Sequence, residues 1–414
     1  MMKITRVRGT QDILDLRLTN FVIDNAKKHF SAYNHTQIET PIIEHTNLFV
    51  RSLGTETDVV TKEMYTFQTE GGDNICLRPE ATASTTRAFL ENSVEQRPWK
   101  VFSFGPMFRH ERPQKGRWRQ FDQINIEAIA TNSIAQDAHF IAMLDTFFNS
   151  VLKLENYVLK LNFLGCTKDR AQHRDALRIF LDTIEDKMCE TCNVRKEKNM
   201  LRVFDCKNEN CQKLYVNAPK PTDHLCETCA TEWNELQELL QMLSINFIHD
   251  TNLVRGLDYY NKTVFEFSSQ DLGAQNAFCG GGRYELAKEL GWREEVPSIG
   301  CAIGLGRLLL LVEKNENKLT LPQIPALQVI VPIADEQNTL ALLLAHTLQS
   351  KNICTDILFE SSLNKKMKKA NKLGAQHVLL LGEDEQKNGT VTIKNMQSGE
   401  SKTVKQTDAI DYLK

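Results

Sequence analysis

The sequence predicts an α+β protein: an antiparallel sheet flanked by helices, interrupted by an inserted module and followed by a small α/β domain. Three observations carry that reading. Lys100 to Arg109 and Gln120 to Ile129 are strand-like runs joined by a charged loop containing Gly and Pro, which makes a long hairpin. Residues 165 to 245 change texture, with cysteine pairs, many charges and a helical run from Glu232 to Leu243. Beyond residue 325, apolar strand candidates alternate with helical stretches.

Taken in order, Leu18, Phe21, Val22, Ala26, Phe30 and Tyr33 recur at helical spacing and leave Asp24, Lys27 and Lys28 outside, so the first element is an amphipathic packing helix. Gln37 to Glu44 reads as a short strand interrupted by Pro41, which removes a ladder donor and suits an edge or an interface. In the second hairpin strand, alternation puts Phe121, Gln123, Asn125 and Glu127 on one face and Asp122, Ile124, Ile126 and Ala128 on the other. The polar face must look at water or at a ligand.

Strand character returns at Lys262 to Phe267, and Gly304-Leu305-Gly306-Arg307 opens a helical run ending near Val312. Asn315 to Pro325 carries charge and prolines without periodicity and reads as a linker. Leu327 to Val331, Ile353 to Leu358 and His377 to Leu381 are then strand candidates, separated by helical stretches at Glu336 to Ser350 and Leu363 to Leu373. Asn388-Gly389 adds a hairpin signal.

With 414 residues, 41% hydrophobic and 25% charged, the chain can hold two or three cores. No apolar run approaches the roughly 20 residues of a membrane span, and no signal-peptide core follows the opening Met1-Met2-Lys3, so the expected compartment is the cytoplasm. A net charge of -3 argues against a generally basic nucleic-acid binder; RNA would have to be gripped by local patches.

One such patch is the hairpin loop. Between Arg109 and Arg119 stand five cations (Arg109, Arg112, Lys115, Arg117, Arg119) against one acid, Glu111. Arginine holds a phosphate through two bonds and keeps its charge when water is excluded, so a triphosphate or an RNA end is the natural counterpart. By composition alone, a solvated basic loop is an equal reading. The cysteines offer a second site: Cys189-x-x-Cys192 and Cys226-x-x-Cys229 have the spacing that puts two thiolates on one tetrahedral zinc, with Cys206-x4-Cys211 between them. Six thiols for four places leave the ligand set open. Cys189, Cys192, Cys226 and Cys229 are the expected ligands, Cys206 and Cys211 the substitutes, and free thiols without metal the alternative.

The order of the loop block, Phe-Arg-His-Glu-Arg-Pro followed by Arg119-Gln120-Phe121-Asp122-Gln123-Ile124-Asn125-Ile126-Glu127, resembles motif 2 of the class II aminoacyl-tRNA synthetases in its histidyl form. Thr40-Pro41-Ile42-Ile43-Glu44 resembles motif 1, a dimer-interface element. Ser298 to Arg307 resembles motif 3, with Gly306 where the family carries an acid. Arg255-Gly256-Leu257-Asp258-Tyr259-Tyr260 matches a signature of histidyl enzymes and their near relatives, although a tyrosine pair standing alone would more often be strand core. Residues from 325 resemble the anticodon-binding domain, with the lysine-rich block Ser361 to Ala375 as its basic helix.

The resemblance implies a class II catalytic domain in two parts, 1–164 and 246–318, around a module at 165–245, with an anticodon-binding domain at 325–414. It implies a homodimer that takes ATP with Mg2+, L-histidine and tRNA(His). Arg109 and Arg255 would be catalytic, with Arg307 also on ATP. The loop residues Gln114, Lys115, Arg117 and Arg119 would meet the tRNA acceptor end, and Glu80, Ala81, Thr82, Gln123, Glu127, Tyr259 and Tyr260 would line the histidine pocket. Histidine has a charged amine and two ring nitrogens, so acceptors and carboxylates suit it better than apolar bulk; Gln123 and Glu127 lie about 13 Å apart on one strand face, room for one small ligand. Two other readings stay open: the synthetase-like regulatory subunit of ATP phosphoribosyltransferase, which generally lacks the C-terminal domain, and an RNA-binding protein using only the basic loop and the cysteine module. The second leaves Glu80, Gln123, Glu127 and Arg255 unexplained.

Overall fold

The computed structural model describes residues 3–413 apart from 56, 115, 207, 258, 274–275 and 360–361, with the backbone alone of Asp205. Lys115 of the basic loop, Asp258 of the Arg255 block and Ser361 of the lysine-rich block lie outside the described residues. The chain forms two compact units, Met1–Leu321 and Pro322–Lys414.

In chain order the first unit runs α1 (Arg17–Ala32), β1 (Thr36–Gln37), β2 (Ile43–His45), α2 (Thr46–Leu53), β3 (Tyr65–Gln68), β4 (Asn74–Leu77) and α3 (Thr82–Glu91). The hairpin β5 (Trp99–Phe108) and β6 (Gln120–Ile129) follows, then α4 (Ile134–Thr146) and β7 (Val158–Phe163). Four helices come next: α5 (Thr167–Asp182), α6 (Glu190–Lys198), α7 (Glu209–Leu214) and α8 (Glu227–Met242). The unit ends with β8 (Ile248–His249), β9 (Tyr260–Ser268), β10 (Ala277–Tyr284), β11 (Ser298–Gly304) and α9 (Leu305–Lys314).

Eight strands make one sheet in the order β1-β5-β6-β11-β10-β9-β7-β8, antiparallel except at its two edges. One face of it packs against helices. Ile124, Ile126 and Ala128 of β6 and Phe265 and Phe267 of β9 meet Phe30 of α1, Phe140 and Leu144 of α4 and Leu308 of α9 in the main core. The apolar half of the β6 alternation therefore fixes the other half, Gln123, Asn125 and Glu127, on the opposite face, where all three are buried. A ligand surface, not a wetted one, is what that burial leaves.

The run Gln37 to Glu44 divides around Pro41: β1 adds to the large sheet, while β2 joins β4 and β3 in a separate three-stranded sheet. Arg78 ties the two together, donating to the carbonyls of Thr40 and Pro106 at 2.8 and 3.1 Å. Sequence texture puts α8 in the inserted module, yet Trp233, Leu236 and Leu240 are part of the main core. The module's own core spans only Leu177 to Ala218 and counts three cysteines among its ten buried residues. A core this small is below what normally holds a domain without staples.

The second unit contains β12 (Gln328–Pro332), α10 (Asn338–Gln349), β13 (Thr355–Ile357), α11 (Leu363–Lys372), β14 (His377–Leu381), α12 (Glu383–Asn388), β15 (Thr390–Asn395), β16 (Ser401–Lys405) and α13 (Ala409–Leu413). Its five-stranded sheet, β13-β12-β14-β15-β16, carries a core on each face. Asn388-Gly389 is not a hairpin turn. Gly389, at φ 64°, is the left-handed cap that ends α12, and the true hairpin lies between β15 and β16. Among the described residues no helix is long and apolar enough to cross a membrane.

Candidate active site

The site lies on the polar face of the large sheet. Gln123 and Glu127 sit in register beside glycines: Gly105 and Gly304 flank Gln123, and Gly300, opposite Val101, flanks Glu127. A Cβ at Gly300 would overlap the Glu127 carboxylate, so this glycine supplies the space in which that side chain lies. Thr82 donates to Oε1 of Glu127 at 2.7 Å and Tyr284 to Oε2 at 2.8 Å. Burial pushes the Glu127 carboxyl up to about 8 despite those two bonds.

Glu80 precedes α3 and takes the amides of Thr82 and Ala83 on its two oxygens, each at 2.8 Å. Burial raises this carboxyl as well, against the pull of the helix amides. Ala81 is fully buried at the helix cap. Two enclosed carboxylates thus share Thr82. Nearby, Oε1 of Gln123 and both amide atoms of Asn125 have no partner among the described residues. Buried polar atoms without partners are costly in a packed protein and are expected where a ligand completes them.

Tyr259 and Tyr260 form one wall, their rings 4.5 Å apart, with Tyr284 edge-on to Tyr259 at 5.6 Å. Burial pushes the Tyr260 hydroxyl up to about 12, so it stays a neutral donor and acceptor at physiological pH. Arg255 lies against Gly280, where any side chain would collide with its guanidinium, and donates through Nη1 to Glu266 at 2.8 Å. Burial works to strip its proton; Glu266 outweighs that and raises its pKa. Its Nε is buried without a partner among the described residues.

The remaining arginines gather at the loop end. Arg109 donates through Nε to the Pro79 carbonyl at 2.9 Å and lies over the Phe121 ring at 5.5 Å. Arg307, in the first turn of α9, donates to the carbonyls of Gly116 and Ala277 at 3.0 and 2.6 Å. Its pKa is lowered by burial first and then by the charges of Arg117 and Arg109. Mutual repulsion of that kind is relieved by an anion. Gly306 meets open space and does not disturb the helix start. In the loop, Arg117 pairs with Glu111 at 2.5 Å, and Gln114 and Arg117 bridge each other's backbones. Arg119 donates through its backbone amide to the Gly9 carbonyl at 2.8 Å and through Nε to the Glu111 carbonyl at 3.3 Å.

The two Cys-x-x-Cys pairs, expected on one metal, do not meet. Cys189 and Cys192 join Cys206 and Cys211, all four sulfurs within 4.8 Å of one another, while Cys226 and Cys229 join Cys166 and Asp169. The reason is α8: anchored in the main core, it carries Cys226 and Cys229 away from the module's interior. Within the first cluster the Cys189 amide points at Cys211 Sγ at 3.3 Å, and the sulfurs of Cys189 and Cys206 are 3.8 Å apart.

Several participants escape sequence reasoning. Gly300 and Glu266 matter only through partners on other strands. Asn125 was within reach, being on the strand face that holds Gln123 and Glu127. Arg283, beside Tyr284, faces the other way and anchors α4 through a buried ion pair with Asp137 at 2.7 Å. Arg170, Arg174, Arg178 and Lys198 of the module line, with Arg255 and Tyr260, a cavity of about 370 Å³; Arg170 also donates to the Tyr260 carbonyl at 2.6 Å.

The family model described as histidyl-tRNA synthetase matches residues 19–308, and that described as anticodon binding domain matches 328–414. A histidine–tRNA ligase of Clostridioides difficile is 41% identical over 98% of each chain, and that of Halothermothrix orenii 41% identical over 100% of this chain and 99% of its own. The solved apo histidyl-tRNA synthetase of S. aureus superposes with a TM-score of 0.80 at 31% identity, covering both chains fully. An ATP phosphoribosyltransferase regulatory subunit/histidyl-tRNA synthetase from Bacillus halodurans C, 17% identical with a TM-score of 0.64 over 92% of this chain and 100% of its own, shares the fold. Sequence and fold are thus matched from end to end by these relatives, and the chain belongs to the histidyl-tRNA synthetase family.

Proposed function

We infer that the protein is an ATP-dependent histidine–tRNA ligase, activating L-histidine as its adenylate and transferring it to the 3' end of tRNA(His). The observation that carries this reading is the pocket in which Glu80 and Glu127, both buried, stand beside the open amide atoms of Gln123 and Asn125. The regulatory-subunit reading is less supported, because this chain keeps both the arginine cluster and the second unit.

In the proposed mechanism Glu80 and Thr82 take the α-amine of histidine, while Glu127, Gln123 and Tyr260 take the imidazole between the tyrosine walls. ATP enters as its magnesium complex. Arg109 and Arg307 hold its phosphates, the repulsion between them being what the anion relieves. Arg255, kept charged by Glu266, stands where negative charge builds as the histidine carboxylate attacks the α-phosphorus and pyrophosphate departs. Catalysis is positioning and charge stabilisation, with no side-chain nucleophile. The acceptor end of the tRNA then meets Gln114, Arg117 and Arg119, with the basic cavity below the module as its route, and its terminal hydroxyl takes the histidyl group.

The module reading includes one structural zinc on Cys189, Cys192, Cys206 and Cys211; four thiolates close the coordination and leave no place for a substrate. A homodimer is supported by the exposed Ile42 and Ile43 at the start of β2. The test is histidine-dependent ATP–pyrophosphate exchange followed by tRNA charging. Arg255→Ala should retain a folded chain, though one less stable for leaving half-buried Glu266 without its partner, and lose exchange by about 100-fold or more. Wild-type exchange in that variant would remove Arg255 from the mechanism.

A further inference from the structure

The second sulfur cluster lies at the neck of the module. Cys166 caps the N-terminus of α5 and Asp169 occupies its third position; Cys226 caps the N-terminus of α8 and Cys229 occupies its third. The two 16-residue helices thus present the same arrangement, Cys-x-x-Asp and Cys-x-x-Cys, and the four ligand atoms lie within 4.8 Å of one another. We propose that this neck cluster is a second tetrahedral metal site, S3O in its donors and fit for Zn2+, separate from the four-cysteine cluster inside the module.

Three features of the site support a cation there. A tetrahedron around zinc has edges of roughly 3.3–3.8 Å for these donors, so an inward shift of about 1 Å or less completes it. Two helix N-termini point into the cluster, and their amides stabilise thiolates. The Asp169 carboxylate is already oriented by two backbone donors, the amide of Cys166 on one oxygen and that of Cys226 on the other, each at 3.1 Å. That leaves the carboxylate fixed while its remaining lone pairs face the thiols. Metal sites are ordinarily oriented in this way by the hydrogen bonds behind their ligands.

The location gives the site its role. Cys166 follows β7 closely, and Cys226 opens the helix that returns to the main core. A metal here pins together the two points at which the chain leaves the catalytic sheet and comes back to it. The module's own metal would hold its small core together; the neck metal would hold the module in place, with Arg170 and its bond to the Tyr260 carbonyl one turn from the pin.

The test is metal content of the purified full chain, measured by mass spectrometry against protein concentration. Serine is itself a good helix cap, so Cys166→Ser combined with Cys226→Ser keeps both helix starts while removing two sulfurs. The expected result is two equivalents of zinc in the wild type, one in this double variant and one in Cys206→Ser/Cys211→Ser. In the cobalt-substituted chain, thiolate-to-metal charge-transfer absorption should fall in both variants, more for the loss of a four-thiolate site than for the neck site. A wild type with one equivalent that survives in Cys166→Ser/Cys226→Ser, or with none, overturns the neck site. The first of those outcomes leaves the module's zinc standing, and neither touches the ligase reading, which exchange activity tests on its own.

Discussion

Glu127 concentrates the chemistry of the pocket in one side chain. Its carboxyl, raised by burial to about 8 from 4.5, holds a proton in the folded protein at neutral pH. Below pH 4.5 the folded and unfolded chains both keep that proton, and the residue does not make stability depend on pH. Between there and about pH 8 the unfolded chain loses it while the folded chain keeps it, so this residue makes stability fall as pH rises; above pH 8 the deficit is constant. The melting temperature of the ligand-free protein should therefore decline across that window, less steeply in Glu127→Gln. Histidine arriving with its cationic groups should drive the proton off, so calorimetry below pH 8 in two buffers of different ionisation enthalpy should register proton release. Equal heats in both buffers would contradict the assignment. Losing a buried charge pair costs about 3 kcal/mol, and Glu127→Gln should raise KM for histidine by roughly two orders of magnitude with KM for ATP little changed.

At the scale of elements, α11 divides its lysines by depth. Lys366 is buried and donates to the Pro332 carbonyl at 2.7 Å, whereas Lys365, Lys368, Lys369 and Lys372 are exposed. Lys366→Ala should destabilise the second unit by about 1–3 kcal/mol, since it strands a buried carbonyl. Replacing the four exposed lysines by alanine should leave the melting temperature within a few degrees, leave pyrophosphate exchange intact and raise KM for tRNA several-fold. Unchanged charging kinetics would make that helix face a solvated surface and nothing more. Sequence patterning located elements of this kind well. The strand Gln120–Ile129 and its two faces follow from strict alternation between an apolar and a polar set. It did less well where identity depends on partners. Gln37 to Glu44 looked like one strand because nothing local says that Pro41 divides two sheets. Asn388-Gly389 looked like a turn because Asn-Gly suits a hairpin, whereas the left-handed glycine alone also ends a helix. The cysteine pairs looked like one site because spacing reports which thiols are neighbours in the chain, while α8 decides which are neighbours in space.

On the scale of the whole molecule, the first unit contains every residue assigned to histidine and ATP, and the second contains the exposed lysines of α11. Residues 1–321 produced alone should carry out histidine-dependent ATP–pyrophosphate exchange at a rate within about tenfold of the full chain, while charging of tRNA falls by a much larger factor. A fragment that folds but does not exchange would show that activation depends on the second unit. The resemblance of the sequence blocks to the synthetase motifs already implied this division of labour, whereas residue type alone left the basic loop and the lysine-rich helix equally open to being solvated surfaces. What residue type could not convey was the support behind them: Glu266 behind Arg255 and Gly300 behind Glu127.

Arg307 holds the Gly116 carbonyl and with it the loop whose Gln114 and Arg117 are assigned to the tRNA. A guanidinium has a limited number of donors, and a triphosphate is a stronger claimant than a neutral carbonyl. If ATP draws Arg307 away from that carbonyl, the loop is unlatched and exchange of the Arg117 amide with solvent should quicken on nucleotide binding; an amide indifferent to ATP would sever that link. Such a latch would add timing to a sequence that chemistry already orders: the surface proposed for the RNA would be freed by the cosubstrate of the preceding step.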